Sequence, residues 1–423
     1  MKKNWKLILC YVVIFCYIVL GNAMTFNFGN RLPFKISELL SMFLIFFLLI
    51  DKKEKLKIST FNFKLLIWLL IGFISLIINT IKFGYSISSS LYGALYGLRI
   101  IHLMLLCYLI KDYFKENKID VKKIFNFIIN CYIIVCIIGF IQLIFYPKAY
   151  DFYNIFYNIG VYFPNADPHV GRLISTYFDP NYLAACLLIP TAICLIYWNK
   201  YNEKKYFIKF LILSITIMLT VSRSGLLGYL IVIFLFTINS FKIEQKKLKI
   251  DKKILKLVLC IGIVLVMLFL SGKSRVINRV VNSSSDKSTY YRFDNWQYSL
   301  DIIKDNSLIG VGYNLIGTYS DVNLDVIRGE SVKYGSDSSL LLIAMTTGMI
   351  GFTYFIIMII KYIIENIKLK KKNSIYSIAI LILIPALICC NFNNVLFYTL
   401  WMFPMLLIFN ILEGEKYEDR DRC

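Results

Sequence analysis

The stretch FNFKLLIWLLIGFISLIINTI (61–81) is apolar almost throughout and, wound as a helix, is long enough to cross about 30 Å of hydrocarbon. Comparable runs recur at 5–22, 36–50, 91–110, 125–146, 180–198, 206–221, 224–241, 254–271, 338–360, 375–390 and 395–412, which makes about twelve spans, with 36–50 the shortest signal. Composition demands the same solvent, because 58% hydrophobic residues and a mean hydropathy of +0.66 exceed what a soluble core of 423 residues can use. The expected fold class is all-α: a polytopic integral membrane protein in the lipid bilayer.

The connections between the runs give an orientation. DKKEKLK (51–57), KDYFKENKIDVKK (111–123), NKYNEKK (199–205), KIEQKKLKIDKK (242–253) and KLKKKN (368–373) alternate with lysine-poor loops, so the positive-inside rule places them and both termini in the cytoplasm. The Lys-led start resembles a signal peptide, but no small-residue cleavage site follows it, and it reads as a retained first span. The formal net charge of +21 then sits mainly on loops facing anionic lipid and needs no nucleic acid. Ten of the eleven cysteines lie in or at the ends of spans and Cys423 lies in the tail, which excludes a disulfide-stapled outer domain. No CxxC pair or Cys/His cluster has metal-ligand spacing, so no metal is expected.

Two connections are long: 147 to about 179, and 272–337. They divide the chain into N-terminal spans (1–146), a central group with its outer loop (147–271), a large extracytoplasmic loop (272–337) and C-terminal spans with a short tail (338–423). Within the large loop Tyr290, Phe293, Trp296, Leu300 and Ile303 recur at helical spacing, which reads as an amphipathic helix on the outer surface, ended by the turn-rich SLIGVGYN (307–314). No internal repeat relates the two halves, as a transporter of paired halves would require.

Arginine is scarce, 10 against 37 lysines, and it is placed against the lysine trend. Arg31, Arg172, Arg223, Arg275, Arg279, Arg292 and Arg328 fall on the outer side, Arg99 inside the fourth span, and only Arg420 and Arg422 inside the cell. Charge orientation predicts the opposite, whereas a planar fork for bidentate recognition of phosphate or carboxylate explains the pattern. Pairing with lipid headgroups, or with acids such as Asp179, Asp286 or Asp294, is the alternative. Three helices begin beside polar outer motifs, FDPN (178–181), SRSG (222–225) and GSDSS (335–339), where unpaired N–H groups and positive dipole ends favour an anion.

Asp179 followed by Pro180 is equally an ordinary N-cap and first-turn pair, and Ser224, Ser336 and Asp337 are candidate caps too. With capping supplied by Asp179, the Asn181 amide is available to a ligand. Arg99 and His102 share one face of the fourth span and need a partner or a wet cavity, a hydrogen bond between spans being the plainer reading. His169 reads as a solvated loop residue, with a catalytic base as the alternative.

GRLISTYFDPNYLA (171–184), LTVSRSGLLGYL (219–230), YYRFDNWQYSLDIIKDNSLIGVGYN (290–314) and DSSLLLIAMTTGMIG (337–351), in that order, resemble the O-antigen ligase and polymerase family of bacterial polytopic membrane glycosyltransferases. The resemblance covers roughly residues 170–355 and implies a GT-C-like helical fold. It further implies a polyprenyl-diphosphate-linked oligosaccharide as donor, whose reducing-end sugar passes to an acceptor hydroxyl at the outer face of the cytoplasmic membrane. No cofactor is implied, and other polysaccharide-export components are the implied protein partners. Arg172, Arg223 and Arg292 match the motif arginines and would hold the diphosphate, Asn181 would orient it, and Arg275 and Arg279 would supplement them. Trp296 is expected to be either a core contact of its helix or a stacking surface for sugar.

A nucleotide pocket is unnecessary for such a donor, and no GxxxxGK[ST] loop is present. Ligases of this family carry a His as base where the tenth span begins. Here the stretch reads YGSDSSL (334–340), a departure that favours a polymerase and leaves Asp337 as the candidate base or acceptor-orienting group. The competing readings are a ligase acting on a lipid, wall or protein acceptor through a different base, and a lipid-linked oligosaccharide flippase, against which the one-sided polarity speaks.

Overall fold

The computed structural model describes residues 5–27, 33–52, 58–161, 169–240, 242–244, 247–249, 287–323 and 335–421. In chain order the helices are α1 (Trp5–Phe15, continued by a π turn over Cys16–Leu20), α2 (Ile36–Asp51), α3 (Thr60–Phe83), α4 (Ile87–Glu116), α5 (Val121–Phe145), α6 (Ala149–Tyr157), α7 (Pro180–Tyr201), α8 (Lys204–Leu219) and α9 (Arg223–Ser240). They continue with α10 (Lys287–Asp305), α11 (Ile316–Asn323), α12 (Ser339–Leu369), α13 (Ser377–Cys389) and α14 (Thr399–Asp421). Among the described residues, strand is confined to two short antiparallel pairs, β1 (Thr25–Asn27) with β2 (Pro33–Lys35) and β3 (Lys242–Glu244) with β4 (Lys247–Lys249). Among the described residues, α3, α4, α5, α7 and α12 are long and apolar enough to cross a membrane, and 5–20, 36–50, 223–238 and 374–389 are shorter apolar helices. The expected span at 254–271 lies outside the described residues, as do Arg31, Arg275, Arg279 and Arg328.

Local sequence sets the helix ends. Ser59, Ser86 and Asp120 accept a first-turn N–H at the starts of α3, α4 and α5, and Gly84 closes α3 in the left-handed conformation. α7 is buried on every side from Leu183 to Trp198 and forms the axis of the bundle, packed by α5, α8, α9, α13 and α14. The approach of α9 depends on Gly225 and Gly228: a Cβ on the first would fall on Ala184, and on the second would meet Cys389 Sγ and Leu188 Cδ1 at 2.7 Å. The peripheral helices keep apolar outward faces, such as Leu70, Ile74, Ile77 and Ile81 of α3, which suit lipid rather than water.

The turn-rich stretch after α10 is driven into the bundle. α12 is broken at Gly348 (φ 66, ψ −173), and residues 307–311 fill the break: Met349 N donates to Ser307 O at 2.7 Å and Val311 N to Met345 O at 2.8 Å. Ser75 Oγ of α3 donates to Ile309 O at 2.5 Å and to Thr346 O at 2.8 Å, tying the inserted segment and the first half of α12 to one hydroxyl. Gly310 and Gly348 are required here, because a Cβ on either would collide with the opposing backbone. The freed backbone groups therefore find partners within the protein.

α10 forms over the stretch read as a helix, and its buried face is offset from the apolar stripe. Its buried face carries Asn295, Tyr298, Ser299 and Ile302, whereas Tyr290, Phe293 and Leu300 are exposed. Asn295 Nδ2 donates to Gly335 O at 2.9 Å, and Ser299 Oγ donates to Ser336 Oγ at 3.2 Å, so polar contacts help Tyr298 and Ile302 dock this helix.

Candidate functional site

One end of the bundle, where α2, α4, α7, α9, α12 and α14 begin, gathers most of the polar residues singled out in the sequence. The segment from Arg172 to Phe178 is buried there, not draped in solvent as a loop. Gln142 of α5 accepts from Ile174 N at 2.9 Å, Leu173 N donates to Leu219 O at 3.0 Å, and the Ser175 and Thr176 hydroxyls donate to the carbonyls of Val135 and Val19. A small aromatic cluster of Phe152, Tyr153 and Phe156 from α6 packs on Phe178 and holds the turn that leads into α7.

Arg172 is fixed from three directions. Its Nε donates to Thr220 O at 2.8 Å, Nη2 to Asn181 Oδ1 at 3.0 Å and Nη1 to His169 Nδ1 at 3.3 Å. A guanidinium has no acceptor, so His169 must offer a lone pair at Nδ1 and carry its proton on Nε2, which lies 4.0 Å from Asp179 Oδ2. His169 is thus a largely enclosed neighbour of the arginine, its side chain 10% exposed, contrary to the expectation of a solvated loop residue. Asp179 caps α7 as expected, its Oδ1 accepting from Asn181 N and Tyr182 N at 2.6 and 3.0 Å.

Arg223 opens α9, three residues after the Thr220 carbonyl that holds Arg172. Ser222 rather than Ser224 caps that helix, accepting from Gly225 N at 3.3 Å, while Ser224 Oγ accepts from Asn393 Nδ2 at 2.8 Å. Arg223 and Arg292 line one cavity of about 210 Å³ together with Ser224, Leu227, Phe293, Trp296 and Phe392. Trp296 packs edge-on to Phe293 and against Phe392, with centroids at 5.6 and 5.9 Å, so it is a wall of this cavity rather than a core anchor of α10. The walls are largely apolar, and Arg223 at the start of α9 faces the same space as Arg292 of α10, which suits an anion attached to hydrocarbon or sugar.

Asp337 connects the two halves. Its Oδ2 lies 3.9 Å from Arg292 Nε, its N–H donates to Asn295 Oδ1 at 3.1 Å, and its side chain is 55% exposed. Crowding by the surrounding protein pushes its carboxyl above the ordinary value; Arg292 opposes that rise and Asp179 adds to it. Ser338, not Ser336 or Asp337, caps α12, leaving the Asp337 carboxylate available for other chemistry.

Residues 208–356 match the family model described as O-antigen ligase. The chain is O-antigen ligase-like over those residues. The ligase-family match holds α9, α10 and the first half of α12, and with them Arg223, Arg292 and Asp337. Arg172 and Asn181 precede it and join it in space through the Thr220 carbonyl. No curated protein matches the chain. The family of that model is a glycosyltransferase-like enzyme class that acts on lipid-linked oligosaccharide in a membrane.

Three contributors were not singled out in the sequence: Asn22, Asn393 and Tyr398. Asn22 Nδ2 donates to Tyr177 O and to Tyr398 OH at 2.8 and 2.9 Å, and the Tyr398 ring lies 4.4 Å from that of Tyr182, flooring the site. The signal that points to them is a polar residue at the end of an apolar run, which many spans share. Arg99 and His102 both find partners on α2, Arg99 Nε lying 2.8 Å from Glu38 Oε1 and His102 Nε2 meeting Ser41 Oγ at 2.6 Å, and Arg99 also lines a cavity.

Proposed function

We propose that the protein is a polymerase-like glycosyltransferase joining polyprenyl-diphosphate-linked oligosaccharide repeats, with the arginine-bearing end of the bundle on the extracytoplasmic side of a bacterial cytoplasmic membrane. The observation that carries this reading is the single cavity between Arg223 and Arg292, at the start of α9 and walled by Leu227, Trp296 and Phe392. Two guanidinium forks are suited to the two phosphates of the donor, and the apolar walls to its prenyl chain and sugar faces. Arg172, buried and held by Asn181, His169 and the Thr220 carbonyl, adds positive charge behind the start of α9.

In the reaction the acceptor hydroxyl oxygen attacks the anomeric carbon. The bond from that carbon to the phosphate oxygen breaks, and polyprenyl diphosphate departs with the electron pair. The arginines stabilise charge growing on the leaving phosphate. The hydroxyl proton passes to Asp337, whose raised affinity for protons and exposed carboxylate suit a general base. Arg275 and Arg279 remain proposed supplements to the diphosphate site.

Reconstitution with a polyprenyl-diphosphate oligosaccharide, with products resolved by length, tests the reading. A ladder growing by one repeat is the expected result. Transfer of one complete glycan to a different acceptor would favour ligase-type chemistry, and unaltered donor crossing the bilayer would favour a flippase.

A further inference from the structure

A second cavity, of about 150 Å³, lies across the 391–398 loop from the first. Phe392 lines one cavity and Asn394 the other. The residue between them, Asn393, is bound to Ser224, while Asn394 Oδ1 accepts from Ser339 Oγ at 3.0 Å and Leu396 N donates to the same hydroxyl at 3.2 Å. The loop is therefore a partition pinned on both sides, and Asp337 stands two residues before the serine that pins it.

Tyr96, Arg99, Asn314, Thr346, Asn394 and Thr399 supply the polar lining of this second cavity. Arg99 is held on Glu38, and Lys35 Nζ donates to Thr399 Oγ1 at 3.1 Å while the Lys35 N–H donates to Glu38 Oε2 at 3.2 Å. Lys35 stands behind the lining rather than in it, and burial lowers its ammonium to about 8, so at neutral pH it still adds a cation beside the Arg99–Glu38 pair. The Arg99 guanidinium carbon lies 5.6 Å from the Tyr96 ring centroid. Tyr96 is itself 37% exposed, next to the exposed Leu95 and Leu98 on α4. Surplus positive charge, amide and hydroxyl groups, and an apolar face alongside are what the head of an anionic lipid requires.

We propose that this cavity holds the diphosphate of the acceptor, a second lipid-linked saccharide whose sugar end extends past the 391–398 partition to Asp337. The inference rests on the glycosyl-transfer reading and sharpens it. Joining two lipid-linked repeats needs two anchored anionic heads, one on each side of the reacting carbon, whereas a flippase or a ligase with a non-lipid acceptor needs one.

The test uses the full chain in phosphatidylcholine vesicles with a photoactivatable polyprenyl-diphosphate oligosaccharide, the labelled peptides being mapped and the products sized in parallel. Label is expected on α4 and on 394–399 as well as around Arg223 and Arg292. Arg99→Lys keeps the pair with Glu38 but loses the fork. It should weaken the α4 label and raise KM for the acceptor about tenfold, with the Arg223-side label retained. Tyr96→Leu, at a half-exposed position, should act in the same direction more mildly. Label confined to the Arg223 side while the glycan still lengthens would overturn the inference and leave the function standing. Loss of only the α4 label to excess phosphatidylglycerol would assign the cavity to ordinary anionic lipid and also overturn it. Label on both sides with no lengthening would defeat both readings.

Discussion

Arg172 donates through Nη2 to Asn181 Oδ1 at 3.0 Å, linking a buried turn to the first turn of α7. Because the Asn181 backbone N–H is already occupied by Asp179, the side chain serves the guanidinium and not the helix. Asn181→Ala should lower transfer about tenfold, and Arg172→Lys about a hundredfold, with protein levels in the membrane unchanged. Wild-type rates for Arg172→Lys would show that charge alone suffices there.

Arg223 at the head of α9 should be still less tolerant. Arg223→Lys retains the positive charge but not the two-pronged geometry, and kcat/KM for the lipid-linked donor should fall about a hundredfold or more. The check is product formation per unit of folded protein, with folding read by size-exclusion chromatography. A loss of folded protein matching the loss of activity would contradict a role in binding.

The Asp337 carboxyl is pushed above its ordinary value. A general base works deprotonated, so a raised proton affinity makes the rate fall while the pH is still above about 4, the value of a free aspartate. The acid limb of the pH-rate profile should therefore lie higher than for an unperturbed carboxylate. Asp337→Asn should remove that limb and lower kcat about a hundredfold. An unchanged limb in Asp337→Asn would assign it to another group.

Glu38 is buried under Arg99, its side chain only 5% exposed. Glu38→Ala leaves Arg99 uncompensated and should cost about 3 kcal/mol of stability, seen as a lower midpoint of thermal aggregation in detergent. Adding Arg99→Met should restore much of the loss. If the double variant is no more stable than the single, the pair is not what holds this contact.

Gly348 sits at φ 66 with Leu308 against its missing Cβ. Gly348→Ala should destabilise by about 3 kcal/mol or prevent accumulation altogether, whereas Gly160→Ala, where a Cβ meets nothing within 4 Å, should be far milder. Equal losses at the two positions would speak against the packed break in α12.

Much of this was legible in sequence because lipid imposes a simple rule on helices: an apolar run of sufficient length must pair its own backbone. The start of α7 after its Asp179 cap follows from that rule plus capping chemistry, whereas α9 and α12 begin where apolar runs do but are capped by Ser222 and Ser338 rather than by Ser224, Ser336 or Asp337. What escaped was sign and distance. The apolar stripe of α10 marks an amphipathic helix on the outer surface but does not say which face docks it, and the polar Asn295 and Ser299 turn out to make that contact. His169 was read as solvated since nothing local reveals that α5, α6 and α8 close around residues 171–178. Asn22, Asn393 and Tyr398 reach the same place from sequence positions hundreds of residues apart, a convergence that only the helix packing creates.

The broken helix α12 has a consequence for assembly. Its two halves are completed by carbonyl and amide groups of residues 307–311 and by Ser75, all made earlier on the ribosome. Hydrocarbon offers no temporary partner for those groups, so the carboxyl-terminal portion must be received into a cradle already formed by the amino-terminal one. Order of synthesis is thereby written into the hydrogen bonding, and a chain whose early segments arrive late would strand an open helix in the bilayer.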